Sequence, residues 1–294
     1  MIRDKRRDKR VLILTALAGA SVTSIAILRR RRSRPWVGRP KEPKAALEHR
    51  WARVDGLRIH ARVSRYPRDL RLPVVLVHGL GVSSLYMVPI AKRLAAEVSV
   101  YAPDLPGHGR SGDPARTLSV PELARVLGRW MDAVGIGRAV FLANSMGCQT
   151  VAELAVRQPE RVDRLILVGP TADAGARRIW PHLLRLVRTS WAERPSLVLV
   201  VAWDYVRAGP LALYREMRHM LADRIEDKLP RIEVPILVLR GENDAIVPQR
   251  WAEEVARLAG ADGVRVIPGA GHAINYTAAD ELLRRIRPFL RHAL

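Results

Sequence analysis

The chain has one cysteine, Cys148, in 294 residues. A lone thiol excludes an internal disulfide framework and any zinc–cysteine cluster. Acids are also scarce: 29 Asp and Glu stand against 50 Lys and Arg, a formal net charge of +21. Yet the sequence holds no zinc-finger, RNA-recognition or Walker pattern, and no basic stripe interleaved with aromatics. Half of the charge excess lies in residues 1–44, where 14 basic residues face 3 acidic ones. In the rest of the chain arginines are scattered between acids, so no nucleic-acid partner is expected. At 48% hydrophobic, the chain is long enough for one large domain with a proper core.

The N-terminal charge brackets an apolar run. MIRDKRRDKR precedes Val11–Leu28, and RRRRSR follows it. Eighteen uncharged residues at 1.5 Å per residue span ~27 Å as a helix, enough to cross a hydrocarbon core. The first reading is therefore a membrane anchor over 1–32, a single N-terminal pass whose basic flanks suit lipid headgroups. A signal peptide cleaved after Ala20 ranks second, because Ile25–Leu28 prolongs the run and Arg29–Arg32 resembles a stop-transfer cluster. A soluble tail ranks third. With six basic residues before the run and eight after it, the positive-inside rule leans slightly towards a cytoplasmic placement of the domain that follows. Residues 33–48, with three prolines and alternating charge, read as a linker.

Beyond it, strand-like and helix-like segments alternate. WARVDGLRIHARVS has period-two apolarity around Asp55-Gly56 and predicts a hairpin. PVVLVHG, VSVYAPD, RAVFLAN, RLILVGP, VPILVLRG and GVRVIPG read as strands, separated by helical patterns over about 86–96, 120–135 and 148–158. The alternation predicts an α/β fold with a doubly wound, mostly parallel sheet and an antiparallel edge. Some 60 residues between the strands at 164–169 and 234–239 lack a strand, far too many for a simple connection. They predict a helical cap, 172–231, inserted into a core made of 49–171 and 232–294. The cap carries Trp180, Trp191, Trp203, Tyr205 and Tyr214, an enrichment that favours an apolar pocket roof.

The chemistry centres on FLANSMGCQT, residues 141–150. A serine hydroxyl is a poor nucleophile unless a base takes its proton and a third group orients that base. Capping the helix would be the ordinary role of Ser145. Strand, tight turn and helix around it, however, form what a nucleophile elbow needs, and three other stretches agree. VHGLG (77–81) follows a strand and places the Leu80 N–H where it can join that of Met146 as an oxyanion hole. RGENDAIVP puts Asp244, and PGAGHAIN puts His272, just past strand ends. The order Ser145, Asp244, His272 is nucleophile, acid, base. Asp173 is the reserve acid. His78 and His108 read as braces of glycine loops, Asp104 as a turn holder, and Cys148 as structural filler.

From about Arg50 onward the chain resembles the α/β-hydrolase superfamily, with PDLPGHGRSG (103–112) similar to its glycine-rich loop and the cap at the usual insertion point. The resemblance implies a serine hydrolase acting on an ester-like or ketone-like carbonyl, with no metal or organic cofactor; the anchor and the aromatic, basic cap add the expectation of a small, hydrophobic substrate. A serine at 145 argues against the branches that use an aspartate nucleophile. NSMG resembles the carbon–carbon bond hydrolases, although HGLGV and GHAIN lack the proline and tryptophan usual there, and Ala143 replaces the elbow's first glycine. The competing reading is a catalytically silent scaffold of the same fold that binds a hydrophobic ligand or a membrane partner.

Overall fold

The computed structural model describes residues 47–65, 72–190 and 193–291. The anchor expected over 1–32 and residues 33–46 of the expected linker lie outside them, as does Trp191. Leu47 and Glu48 correct the linker boundary: they open strand β1 (Leu47–Val54), where they pair with Ser64 and Val63 of β2 (Leu57–Ser64). Cross-strand backbone pairing to β2 claims them, although charge and proline precede them.

Eight strands form one sheet in the order β1-β2-β4-β3-β5-β6-β7-β8. The hairpin β1–β2 and its junction with β4 (Val100–Pro103) are antiparallel. β3 (Val74–Val77), β5 (Ala139–Asn144), β6 (Val162–Val168), β7 (Ile236–Gly241) and β8 (Val264–Ile267) continue it in parallel. The central strands read as unbroken apolar runs because helices cover both faces. Val75, Val77, Phe141 and Ala143 point into one core with α2 (Val120–Val134), α3 (Met146–Arg157) and α7 (Gln249–Leu258). Val74, Leu76, Val140 and Leu142 point into the other, with α1 (Val88–Leu94), α8 (Ile274–Thr277) and α9 (Ala279–Arg291). Local signals set the ends of α2: Ser119 and Glu122 form a capping box, and Gly135 closes it in the left-handed region at φ 76°. The pattern over 86–96 is broken at its start. Ser84–Met87 is a 3₁₀ turn and α1 begins at Val88, since Pro89 has no N–H to continue a helix from the preceding turn.

Between β6 and β7 run α4 (Ile179–Ser190), α5 (Pro195–Ala208) and α6 (Pro210–Ala222), followed by two 3₁₀ turns. The far end of this insertion is part of the core: Met217, Met220, Ile225 and Leu229 are buried in the same apolar cluster as α2 and α3. No single helix among the described residues is long and apolar enough to cross a membrane.

Candidate active site

Ser145 stands between β5 and α3 at φ 58°, ψ −125°, one of two non-glycine residues with positive φ among those described. Such a backbone costs on the order of 1–3 kcal/mol and persists only where its surroundings enforce it. Here they do. The Ser145 N–H donates to Val168 O (3.0 Å) and its carbonyl accepts from Cys148 N (2.9 Å). A Cβ on Gly147 would stand 2.6 Å from the carbonyl oxygens of Val77 and His78, so α3 starts against the end of β3 only because that residue has no side chain. The Ser145 hydroxyl makes no capping bond to its helix, which removes the ordinary role.

His272 lies in the loop after β8. Its Nδ1 meets Asp244 Oδ2 at 2.7 Å, while the other Asp244 oxygen accepts from Ile246 N (2.9 Å) and Val247 N (3.0 Å). The loop of Asp244 is braced in turn by Arg240, whose guanidinium donates to Val247 O and Asp244 O. Burial works to lower the His272 pKa, but the Asp244 carboxylate prevails and raises it above the ordinary histidine value. His272 Nε2 is buried and takes no hydrogen bond among the described residues. Gly169, at the end of β6, passes beneath the pair: a Cβ there would be 3.0 Å from the imidazole and 3.2 Å from Asp244.

The reserve acid is engaged elsewhere. Asp173 accepts from Gly175 N (2.9 Å) and pairs with Arg185 (2.9 Å) and Arg250 (2.7 Å). Cys148 is buried, with its thiol pKa pushed far up by that burial and its Sγ 3.3 Å from Ala143 O.

On the other side of the serine, a Cβ on Gly79 would fall 2.9 Å from Ser145 Cβ, which sets the turn of residues 78–81 against the elbow. The backbone N–H groups of Leu80 and Met146 make no hydrogen bond among the described residues. His78 holds this turn. Burial and the neighbouring His108 lower its pKa to about 4, so it is neutral; Nδ1 donates to Gly79 O (2.9 Å) and Nε2 accepts from Leu105 N (3.0 Å). Asp104 accepts from Ser84 N (2.6 Å) and Arg110 N (2.8 Å) and meets His60 at 2.6 Å. It holds its loop to the turn after β3. Burial opposes ionisation of Asp104, but these partners keep its carboxyl well below the usual range.

Several residues of this site carry no motif. Asn144, just before the serine, donates to Val168 O (3.1 Å) and His272 O (3.3 Å) and accepts from Tyr86 OH (3.0 Å). From the cap, Glu193 accepts from Ala273 N (2.9 Å) with its carboxyl raised by burial. His182 of α4 is also buried, and burial, together with His272 and Arg185, lowers it to about 4. Asp204 of α5 accepts from both the N–H (2.9 Å) and hydroxyl (2.8 Å) of Ser83. Glu216 of α6 accepts from Gly81 N (3.0 Å) and pairs with His108 (2.8 Å), whose pKa it raises to about 9 although burial opposes this. A lone acid in the apolar run VLVVAWDYV was the one sequence signal for this group. Among the described residues no group of three or more His, Cys, Asp or Glu is placed to hold a metal ion.

A doubly wound sheet with a constrained serine turn and a buried acid–imidazole pair at its carboxyl edge defines a hydrolytic class of enzyme. Residues 74–285 match the alpha/beta hydrolase family, and the chain is an enzyme of that family. Esterase YbfF of Escherichia coli (strain K12) is 25% identical over 240 residues, 74% of this chain and 92% of that protein. The biotin biosynthesis bifunctional protein BioHC of Cellvibrio japonicus is 27% identical over 241 residues, 74% of this chain; the match spans 47% of its length. Among solved structures, a membrane phospholipase A superposes with a TM-score of 0.74 at 21% identity, covering 97% of this chain and 95% of that one, a likeness of fold.

Proposed function

We propose that the enzyme hydrolyses an ester-like bond, or the carbon–carbon bond of a ketone, in a small hydrophobic substrate, with Ser145, His272 and Asp244 as its catalytic residues. The observation that carries this reading is the 2.7 Å His272–Asp244 contact, which leaves Nε2 as the free, buried imidazole nitrogen. With Nδ1–H held by the carboxylate, Nε2 is the basic atom. It takes the Ser145 proton as Oγ bonds to the substrate carbonyl carbon, and the carbonyl π pair moves to oxygen. The Leu80 and Met146 N–H groups receive that oxyanion. When the tetrahedral intermediate collapses, Nε2–H protonates the leaving group. Water then attacks the acyl enzyme, giving its proton to Nε2, and Ser145 recovers a proton as the acid departs. The esterase among the relatives supports a carboxylic ester as the first substrate to try. Attachment of the chain through Val11–Leu28 belongs to the same proposal, supported by the apolar run and its basic flanks.

Fluorophosphonate labelling of the full chain tests the assignment. Labelling should be lost in Ser145→Ala and in His272→Ala, with melting temperatures unchanged within a few degrees. Full labelling of Ser145→Ala would sink it.

A further inference from the structure

Seven large apolar side chains are strongly exposed among the described residues, and six of them lie on α4, α5 and α6; Trp51 alone lies elsewhere. They are ordered. On α4, Trp180 and Leu184 are four residues apart with exposed Arg188 next in the same stripe. On α5, Leu199, Trp203 and Val206 fall at intervals of four and three, with Val206 82% exposed, while Leu197 and Asp204 face inward. Leu211 opens the outer stripe of α6, which Arg215 and Arg218 continue. Residues three and four apart share a helix face, so α4 and α5 each turn an apolar stripe to solvent, and α6 adds Leu211 in line with two arginines. Soluble monomers rarely gather exposed apolar side chains in this way.

The charges are sorted as well. Residues 174–222 contain three acids, Glu193, Asp204 and Glu216, and all three are buried against the core loops. Six cap arginines (178, 188, 194, 207, 215 and 218) are exposed, and none has an ion-pair partner among the described residues. Exposed Trp, Leu and Val side chains on α4–α6, accompanied by arginines without ion-pair partners among the described residues, suit one occupant by charge complementarity: the headgroup region of an anionic lipid bilayer, where Trp and Leu enter the interface and arginine meets phosphate. A nucleic acid would leave the apolar stripes uncovered. With 14 residues, about 21 Å at 1.5 Å each, α5 is too short to cross a hydrocarbon core of about 30 Å. Segments Pro195–Ala208 and Pro210–Asp227 also turn by 101° on one another.

We propose that the outer face of α4–α6 is a docking surface for anionic membranes, distinct from any attachment through Val11–Leu28. It sets the cap, which covers the loops around Ser145, against the lipid. The proposal stands whether or not Ser145 is the nucleophile, and its test reads no activity.

The test uses the full chain in vesicles of phosphatidylcholine and phosphatidylglycerol, with an environment-sensitive fluorophore on Leu199→Cys and, as control, on Glu254→Cys of α7. Wild-type protein, whose buried Cys148 should not react, gives the labelling blank. Bilayer-embedded bromolipids should quench the probe at 199 at least about threefold more than at 254, and its emission should shift to the blue. Reversing Arg207, Arg215 and Arg218 together to Glu, with folding checked by circular dichroism, should bring quenching at 199 down to the control. Equal quenching at the two sites would overturn the proposal, since an N-terminal tether alone would give that result. Equal quenching at 199 in purely zwitterionic vesicles would overturn the anionic selectivity. A blue shift without vesicles that grows with protein concentration would assign the face to a second copy of the chain instead.

Discussion

The sheet core and the cap place the same residue types in opposite ways. Around the core, arginines and acids meet at the surface, as in Arg93–Asp280, Arg116–Glu122 and Arg257–Glu254. Over residues 174–222 of the cap the three acids turn inward onto Ser83, Gly81 and Ala273, and six arginines are left outward beside tryptophan and leucine. Exposed pairs such as those of the core contribute little to stability. A buried acid that accepts from backbone N–H groups fixes geometry, because its loss strands donors away from water. The cap is thus fastened by buried carboxylates together with inward apolar side chains such as Leu197, Met217 and Met220, and it still leaves further apolar side chains exposed to the surroundings.

Four substitutions separate the two regions, and the largest effect belongs to the core. Asp244→Asn should lower kcat roughly 10⁴-fold with the fold retained, since the imidazole loses its orienting partner. Any residual activity should keep its acid limb at lower pH, because the removed carboxylate is what raises His272. A pH profile of kcat/KM with that limb unmoved would break the assignment of Asp244.

Next comes the fastening of the cap. Glu216→Gln should cost about 3–5 kcal/mol at pH 6, measured by urea unfolding, because it leaves a buried imidazolium unpaired. The pH dependence has a defined sign. His108 has its folded pKa raised to about 9 from 6.5, so its contribution is full below about pH 6.5 and is lost as pH rises through about 9. The wild-type protein should lose stability over that window and Glu216→Gln should not. A wild-type slope that survives the substitution would remove His108–Glu216 from the account.

The smallest pair lies on one helix. Leu197→Ala, at 3% exposure, should cost about 2–5 kcal/mol through the cavity it leaves, whereas Leu199→Ala, at 68%, should stay within about 0.5 kcal/mol. Comparable losses from both would mean that the outward stripe of α5 is already covered in solution.

Much of this architecture was legible beforehand. The runs around Val74–Val77, Ala139–Asn144 and Ile236–Gly241 announced central strands because burial on both faces leaves no polar alternation. The order of Ser145, Asp244 and His272, each just past a strand end, was legible for a related reason: carboxyl ends of parallel strands collect at one edge. Glu193, Asp204 and Glu216 were not legible as a group. Their partners lie 80, 121 and 135 residues away in sequence, and no local pattern encodes such separations.

The same division runs through the whole molecule. The sequence by itself determined the alternation of strands and helices, the helical insertion, and the candidates for the proposed nucleophile, acid and base. These follow from periodicity and turn chemistry within a few residues. Which acid meets His272 was decided only in three dimensions, where Asp244 reaches the imidazole and Asp173 is drawn off by Arg185 and Arg250. Tertiary packing alone also decided which side of each cap helix faces out. Burial of Leu197, Met217 and Met220, together with the hydrogen bonds that Glu193, Asp204 and Glu216 accept from Ala273, Ser83 and Gly81, sets the inward sides and leaves the exposed apolar side chains and arginines towards the surroundings.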